Sequence, residues 1–62
     1  MEEIIRILMR RDGISKGAAA ALCDQVQQEI DEVLGRGGSY DEVEDILMYN
    51  LRLEPDYIMN FL

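Results

Sequence analysis

The sequence is poor in the residues that build catalytic and metal sites. It contains no histidine, no tryptophan, one cysteine and one proline. Cys23 therefore has no disulfide partner within the chain, the usual structural zinc sets cannot be assembled, and no imidazole is present to activate a nucleophile. The sequence predicts a protein that is not an enzyme, with no cofactor and no bound metal.

Long apolar runs are also missing, and positive charge is scarce. No run reaches the roughly 18 apolar residues of a membrane span, and the first residues, MEEIIRILMRR, place acids before apolar residues, the reverse of a secretory signal. We therefore expect a cytoplasmic protein without membrane contact. The net charge is −7, and residues 17–62 carry ten acids against two arginines. Such a surface repels phosphate backbones and attracts basic proteins.

What the sequence does contain is helical periodicity. Sixty-two residues make one domain, and apolar residues at three- and four-residue steps predict helices over about 2–11, 15–34, 39–51 and 55–62. Nothing alternates with a period of two. We predict an all-α fold, a small single-domain bundle of three to four helices spanning residues 1–62.

The second predicted helix is the longest, and the other helices are expected to cover its apolar stripe. The last helix is expected to bury Tyr57 or Ile58 together with Phe61 and Leu62. The stripe of the second helix, which we expect to face the core with a buried thiol in its middle, consists of Ala19, Leu22, Cys23, Val26, Ile30, Val33 and Leu34.

Capping residues mark the predicted helix ends. Gly13 suits the left-handed conformation that ends a helix, and Ser15 suits an N-cap. Ser39 and Glu42 have the spacing of a capping box, and Pro55 suits a first helical position. The acids that follow Ser39 lack the alternating ligands and central glycine of a calcium-binding loop, so we interpret them as partners of the helix dipole.

The leading functional hypothesis is binding to another protein. The chain lacks catalytic motifs, its second half is acidic, and it has more apolar residues than a small core needs, for example Ile7, Met9 and Met59. We expect an unidentified protein partner with a basic surface. A homodimer is a further expectation, because small residues at the start of the second helix leave room for close approach. The candidate interaction surface consists of Gly17, Ala18, Ala21, Asp24, Gln28, Asp31, Asp41, Glu44 and Asp45.

Two alternatives stay open at this point. One is a helix-turn-helix DNA-binding protein using residues 4–22. However, the start of its second helix offers Lys16 followed by small residues rather than the Arg, Asn or Gln that read base edges, which argues against nucleic acid as the partner. The other alternative is an acidic DNA mimic that inhibits a nucleic-acid-binding protein.

Four segments follow one another in order: DGIS, an alanine-rich acidic helix, YDEVEDIL at 40–47, and LEPDY at 53–57. In this order they resemble short helical proteins of unassigned activity that phages and prophages encode, mostly in Gram-positive bacteria. The resemblance covers most of the chain from Asp12 onward and departs from the group at Lys16 and Gly17, where acidic helix formers are expected. It implies a phage or mobile-element accessory protein and assigns no role to any residue.

Overall fold

A computed structural model describes residues 2–62, and every regular element in that range is helical. Helix α1 spans Glu2–Asp12, α2 spans Lys16–Gly35 and α3 spans Tyr40–Leu51. A short 3₁₀ helix, Pro55–Asn60, follows. The predicted all-α bundle is confirmed, with boundaries within two residues of those expected. The last element differs in kind, because a six-residue segment that starts at a proline closes with i→i+3 hydrogen bonds, from the Tyr57 amide to the Glu54 carbonyl among others.

The capping residues place the helix ends where the sequence predicts them. Gly13 has a positive φ of 65°, and the Ser15 side chain accepts a hydrogen bond from the Ala18 amide at 3.1 Å. The Ser39 side chain accepts from the Glu42 amide at 3.4 Å. Pro55 occupies the start of the 3₁₀ helix. These local bonds satisfy amides that the first helical turn leaves without partners.

Helix α2 is the element on which the others pack. Its 20 residues give a length of about 30 Å, close to the longest dimension of the molecule, 34 Å. We call α1 the N-terminal arm and residues 40–62 the C-terminal arm. Both arms pack on α2, and the 3₁₀ helix packs on α3. The buried core consists of Ile4, Leu8, Ala19, Cys23, Val26, Ile30, Val33, Val43, Leu47, Leu51, Leu53 and Phe61.

Two long-range hydrogen-bonded contacts join the parts. The Arg11 guanidinium donates to the Leu51 carbonyl at 2.6 Å and to the Arg52 carbonyl at 2.9 Å, so the end of α1 caps the end of α3. The same guanidinium donates two hydrogen bonds to Asp12, which lower the pKa of that carboxyl group. In the second contact, the Gln27 side chain of α2 donates a hydrogen bond to the Phe61 carbonyl at 2.8 Å.

The sequence prediction was wrong for three leucines. Leu22 and Leu34 were expected in the core, but they are 36% and 37% exposed. They fall at the two edges of the α2 stripe, about 60° to either side of its centre, where neither arm reaches far enough to cover them. Leu62 was also expected to be buried and is exposed, whereas the expected burial of Phe61 is confirmed.

Candidate interaction surfaces

The outer side of α2 presents six of the nine predicted surface residues. None of the six is covered by another element, and of the alanine-rich start of α2 only Ala19 is buried in the core. A Cβ added at Gly17 would meet no atom within 4 Å, so packing inside the molecule does not require a glycine there. The six residues that lie together on this side are Gly17, Ala18, Ala21, Asp24, Gln28 and Asp31.

The three predicted acids of α3 do not form one surface with those residues. Asp45 lines a groove between α2 and α3, whereas Glu44 lines a depression on the opposite flank of α3. Asp41 is exposed near the start of the helix. The structure therefore divides the nine predicted residues among the outer side of α2 and two different flanks of α3.

The groove between α2 and α3 is acidic. It has a volume of about 320 Å³, and Arg36 pairs with Glu42 across it at 3.5 Å. The Glu29 Oε2 atom is buried there and has no hydrogen-bond partner within the described range, residues 2–62. Among residues 2–62, however, no three Asp, Glu or Cys side chains are arranged to hold a metal ion. The charged residues that line the groove are Glu29, Glu32, Arg36, Glu42 and Asp45.

The opposite flank of α3 carries an apolar surface whose residues are not among the nine predicted interaction residues. Tyr40 is 63% exposed, Met48 51%, Met59 74% and Leu62 53%. Two shallow depressions lie on this flank, with volumes of about 250 and 270 Å³. Tyr40 and Met48 are eight residues apart and thus on one side of the helix, a spacing that the sequence already contained. We call this surface the α3 apolar face, consisting of Tyr40, Met48, Ile58, Met59 and Leu62.

Most of the basic side chains of the molecule lie near α1. Arg6 and Lys16 border one depression, and Arg6 and Arg10 border another together with Tyr57. Arg6 also pairs with Glu2 at 3.6 Å. The first turn of α2 adds only Lys16 and the small residues after it, so few side chains near this turn are long enough to reach the base edges of DNA.

The single thiol lies in the core. Cys23 is buried on α2, as the apolar stripe predicted. Burial, and to a smaller extent the charge of Asp24, raises the pKa of the Cys23 thiol, which disfavours the nucleophilic thiolate. Its surroundings are those of a structural side chain.

Neither a protein-family model, a curated protein nor a solved structure matches this chain. Between Glu2 and Leu62, none of the helices combines the length and the apolar character that crossing a bilayer requires.

Proposed function

We propose that this chain is a non-enzymatic protein that acts by binding another protein. The observation that carries the proposal is the α3 apolar face, where four large side chains are more than half exposed. Single exposed apolar residues are ordinary on protein surfaces. Several that adjoin one another and are bordered by charged groups are typical of an interaction site.

Charge supports a partner with a basic surface. Residues 17–62 carry a net charge of −8, and four acidic residues and one arginine line the α2–α3 groove. An acidic surface accelerates association with basic proteins and disfavours acidic ones.

The resemblance to short phage and prophage proteins supports a role as a phage or mobile-element accessory protein in the bacterial cytoplasm. The genes beside the coding sequence test this part of the proposal. A neighbourhood of capsid, repressor or defence genes is the expected result, and a neighbourhood of housekeeping genes in several genomes contradicts it.

Affinity capture from a host lysate tests protein binding directly. The immobilised chain is compared with Asp24→Lys/Asp31→Lys on α2 and with Glu44→Lys on α3, each checked for helicity by circular dichroism. We expect a discrete protein that one of the two changes releases. Retention of the same proteins by all three forms and by an unrelated acidic helical protein contradicts the proposal. Release of the captured protein by duplex DNA identifies the partner as a nucleic-acid-binding protein and the chain as a DNA mimic.

Self-association is a second form of the same proposal, on the outer side of α2. The small exposed residues there, Gly17, Ala18 and Ala21, permit the close approach of a second helix. Light scattering at several concentrations is the test. A strictly monomeric mass at high concentration rules out the dimer, and a dimer that Ala21→Glu dissociates places the contact on this helix.

DNA binding by residues 4–22 is the competing proposal. It is favoured by the exposed Arg6, Arg10 and Lys16 near the turn between α1 and α2. Binding to duplex DNA at low salt that is lost on Arg10→Glu with Lys16→Glu would replace protein binding as the proposed function. Arg11 must stay unchanged in this test, because its guanidinium caps α3.

A further inference from the structure

The α3 apolar face contains two separate shallow depressions, each lined by residues of α3 and of the segment that follows it. Tyr40, Glu44, Ile58, Met59 and Leu62 line its first depression. Met48, Arg52, Leu53, Glu54 and Pro55 line the second. Tyr40, Glu44 and Met48 succeed one another at four-residue steps along α3, so the two depressions follow each other over about 12 Å of helix.

We propose that the α3 apolar face binds an amphipathic helix of a partner protein, one that carries apolar anchors on one side and Lys or Arg residues beside them. This inference rests on the proposed function and specifies its surface and the chemistry of its partner. Two depressions that follow each other over this length can receive the i, i+4 and i+7 anchors of one helix. Met48 and Met59 suit such a site, because the unbranched thioether side chain adapts its shape to different anchors.

Charge favours a basic partner. The chain carries a net charge of −7, and the charged residues that line the two depressions are Glu44, Glu54 and Arg52. Glu44 lies within the first depression and is half-buried between apolar side chains. A lysine or arginine beside the partner's anchors compensates a carboxylate in such surroundings, and it gains more there than in open water because the local dielectric is lower.

The same charges argue against a second copy of this chain as the occupant. Two copies that met through this face would each carry a net charge of −7, and the Glu44 carboxylate of each would enter the contact. Like charges brought together in an interface cost binding free energy. The partner is therefore a different, basic chain.

Fluorescence anisotropy with a labelled helical peptide tests the inference on the whole chain. The peptide has about 16 residues, enough for four turns, with leucines at i, i+4, i+7 and i+11 and lysines beside them. Two controls have the same length: a peptide with glutamate in place of every lysine, and a scrambled lysine peptide that lacks the apolar side. We expect a Kd on the order of 10 μM for the amphipathic basic peptide and binding about tenfold weaker or more for both controls.

A pair of tyrosines on α3 supplies a matched set of variants. Tyr40 and Tyr49 are both exposed, the latter by 85%, and nine residues of helix place them on opposite sides. We expect Tyr40→Ala to weaken binding of the basic peptide by about tenfold, as for an anchor-contacting aromatic side chain, and Tyr49→Ala to change it by less than about twofold. Met59→Ser and Met9→Ser form a second pair with the same expectation. Circular dichroism confirms that each variant is folded.

Three results would overturn the inference: equal weakening by Tyr40→Ala and Tyr49→Ala, equal binding of the scrambled peptide, or a homodimer that Tyr40→Ala dissociates. Either of the first two results would mean that binding is only a general attraction of opposite charges. The homodimer result would mean that a second copy of the chain occupies the face. The affinity capture from lysate separates the two proposals. A captured protein that is retained equally by wild type and by Tyr40→Ala refutes this face alone, whereas the absence of any specific capture refutes protein binding as a function.

Discussion

The two arms pack on the same helix, but they differ in how completely they bury their large apolar side chains. The N-terminal arm buries Ile4 and Leu8, and its most exposed large apolar side chain, Met9, is 36% exposed. The C-terminal arm contributes more residues to the core, yet it also leaves Tyr40, Met48, Met59 and Leu62 largely uncovered. Folding accounts for the apolar residues of the first arm. In the second arm it accounts for only part of them. Of the remainder, we assign Tyr40, Met48, Met59 and Leu62 to binding, whereas Tyr49, 85% exposed, lies on the opposite side of α3 from Tyr40.

The largest expected effects come from truncating one core leucine in each arm. Leu8→Ala in α1 and Leu47→Ala in α3 each remove a fully buried side chain and should cost about 2–5 kcal/mol of unfolding free energy. A chain of this size has about 3–9 kcal/mol in total, so each variant should lose a large part of its stability. Urea denaturation followed by circular dichroism measures this.

The same pair of variants examines whether the arms fold together. Because both arms pack on α2, each substitution should shift one cooperative transition without changing its steepness. A loss of helicity equal to α1 alone in Leu8→Ala, with the rest of the transition unchanged, would show that the C-terminal arm and α2 fold independently of the N-terminal arm.

Arg11 is the residue that joins the arms at their ends, and its removal should have the next largest effect. Arg11→Ala leaves the Leu51 and Arg52 carbonyls without the guanidinium donor, which should cost about 1–3 kcal/mol. Arg10→Ala, on the neighbouring exposed position, is the matched control and should stay within about 0.5 kcal/mol. Thermal denaturation distinguishes them. Equal effects of the two changes would mean that only the general loss of positive charge matters.

The connection between α2 and α3 is tighter than the turn between α1 and α2, and Gly38 is the residue that shows it. A Cβ on Gly38 would lie 2.8 Å from the Val33 carbonyl oxygen, so Gly38→Ala should cost about 1–3 kcal/mol through overpacking. At Gly35 the same Cβ meets nothing within 4 Å, and Gly35→Ala should be neutral or slightly stabilising. Chemical denaturation of both variants tests the difference, and a neutral Gly38→Ala would show that the connection can move aside.

The parts of the fold that follow local rules could be predicted from the sequence. Gly13, Ser15 and Ser39 determine helix ends through their own backbone preferences and side-chain hydrogen bonds, and the helix boundaries were correspondingly close. The exposure of Leu22 and Leu34 was not predictable in this way, because it depends on how far the arms extend over the edges of the α2 stripe. The Arg11 contact was missed for the same reason, since it joins residues about forty positions apart.

The same distinction between local spacing and long-range packing applies to the candidate interaction surface. Helical spacing alone placed six residues, from Gly17 to Asp31, on the outer side of α2. It could not separate Glu44 from Asp45, which are adjacent in sequence and lie on opposite flanks of α3, because the division depends on which flank α2 covers. The exposure of Tyr40 and Met48 required the position of the 3₁₀ helix as well.

The smallest expected effect concerns how the helix of each arm ends. Both end at a residue in the left-handed region: Gly13 after α1, with a φ of 65°, and Arg52 after α3, with a φ of 54°. This conformation costs a side-chain-bearing residue about 1–2 kcal/mol, and glycine loses part of that advantage through its greater freedom in the unfolded chain. Arg52→Gly should therefore stabilise the protein by about 0.5–1 kcal/mol.

The hydrogen bonds that end α3 should survive the Arg52→Gly change. They run from the Arg52 amide to the Met48 carbonyl and from the Leu53 amide to the Leu47 carbonyl, and the carbonyl that accepts from Arg11 is also a backbone group. For a domain of this size we expect the midpoint of thermal denaturation to rise by about 2–8 °C. The reverse change in the other arm, Gly13→Arg, should lower it by a similar amount. If Arg52→Gly instead lowers the midpoint, the Arg52 side chain stabilises the folded state by more than the left-handed conformation costs. The attraction between Arg52 and Asp12 is then the interaction to test, and Asp12→Asn removes it.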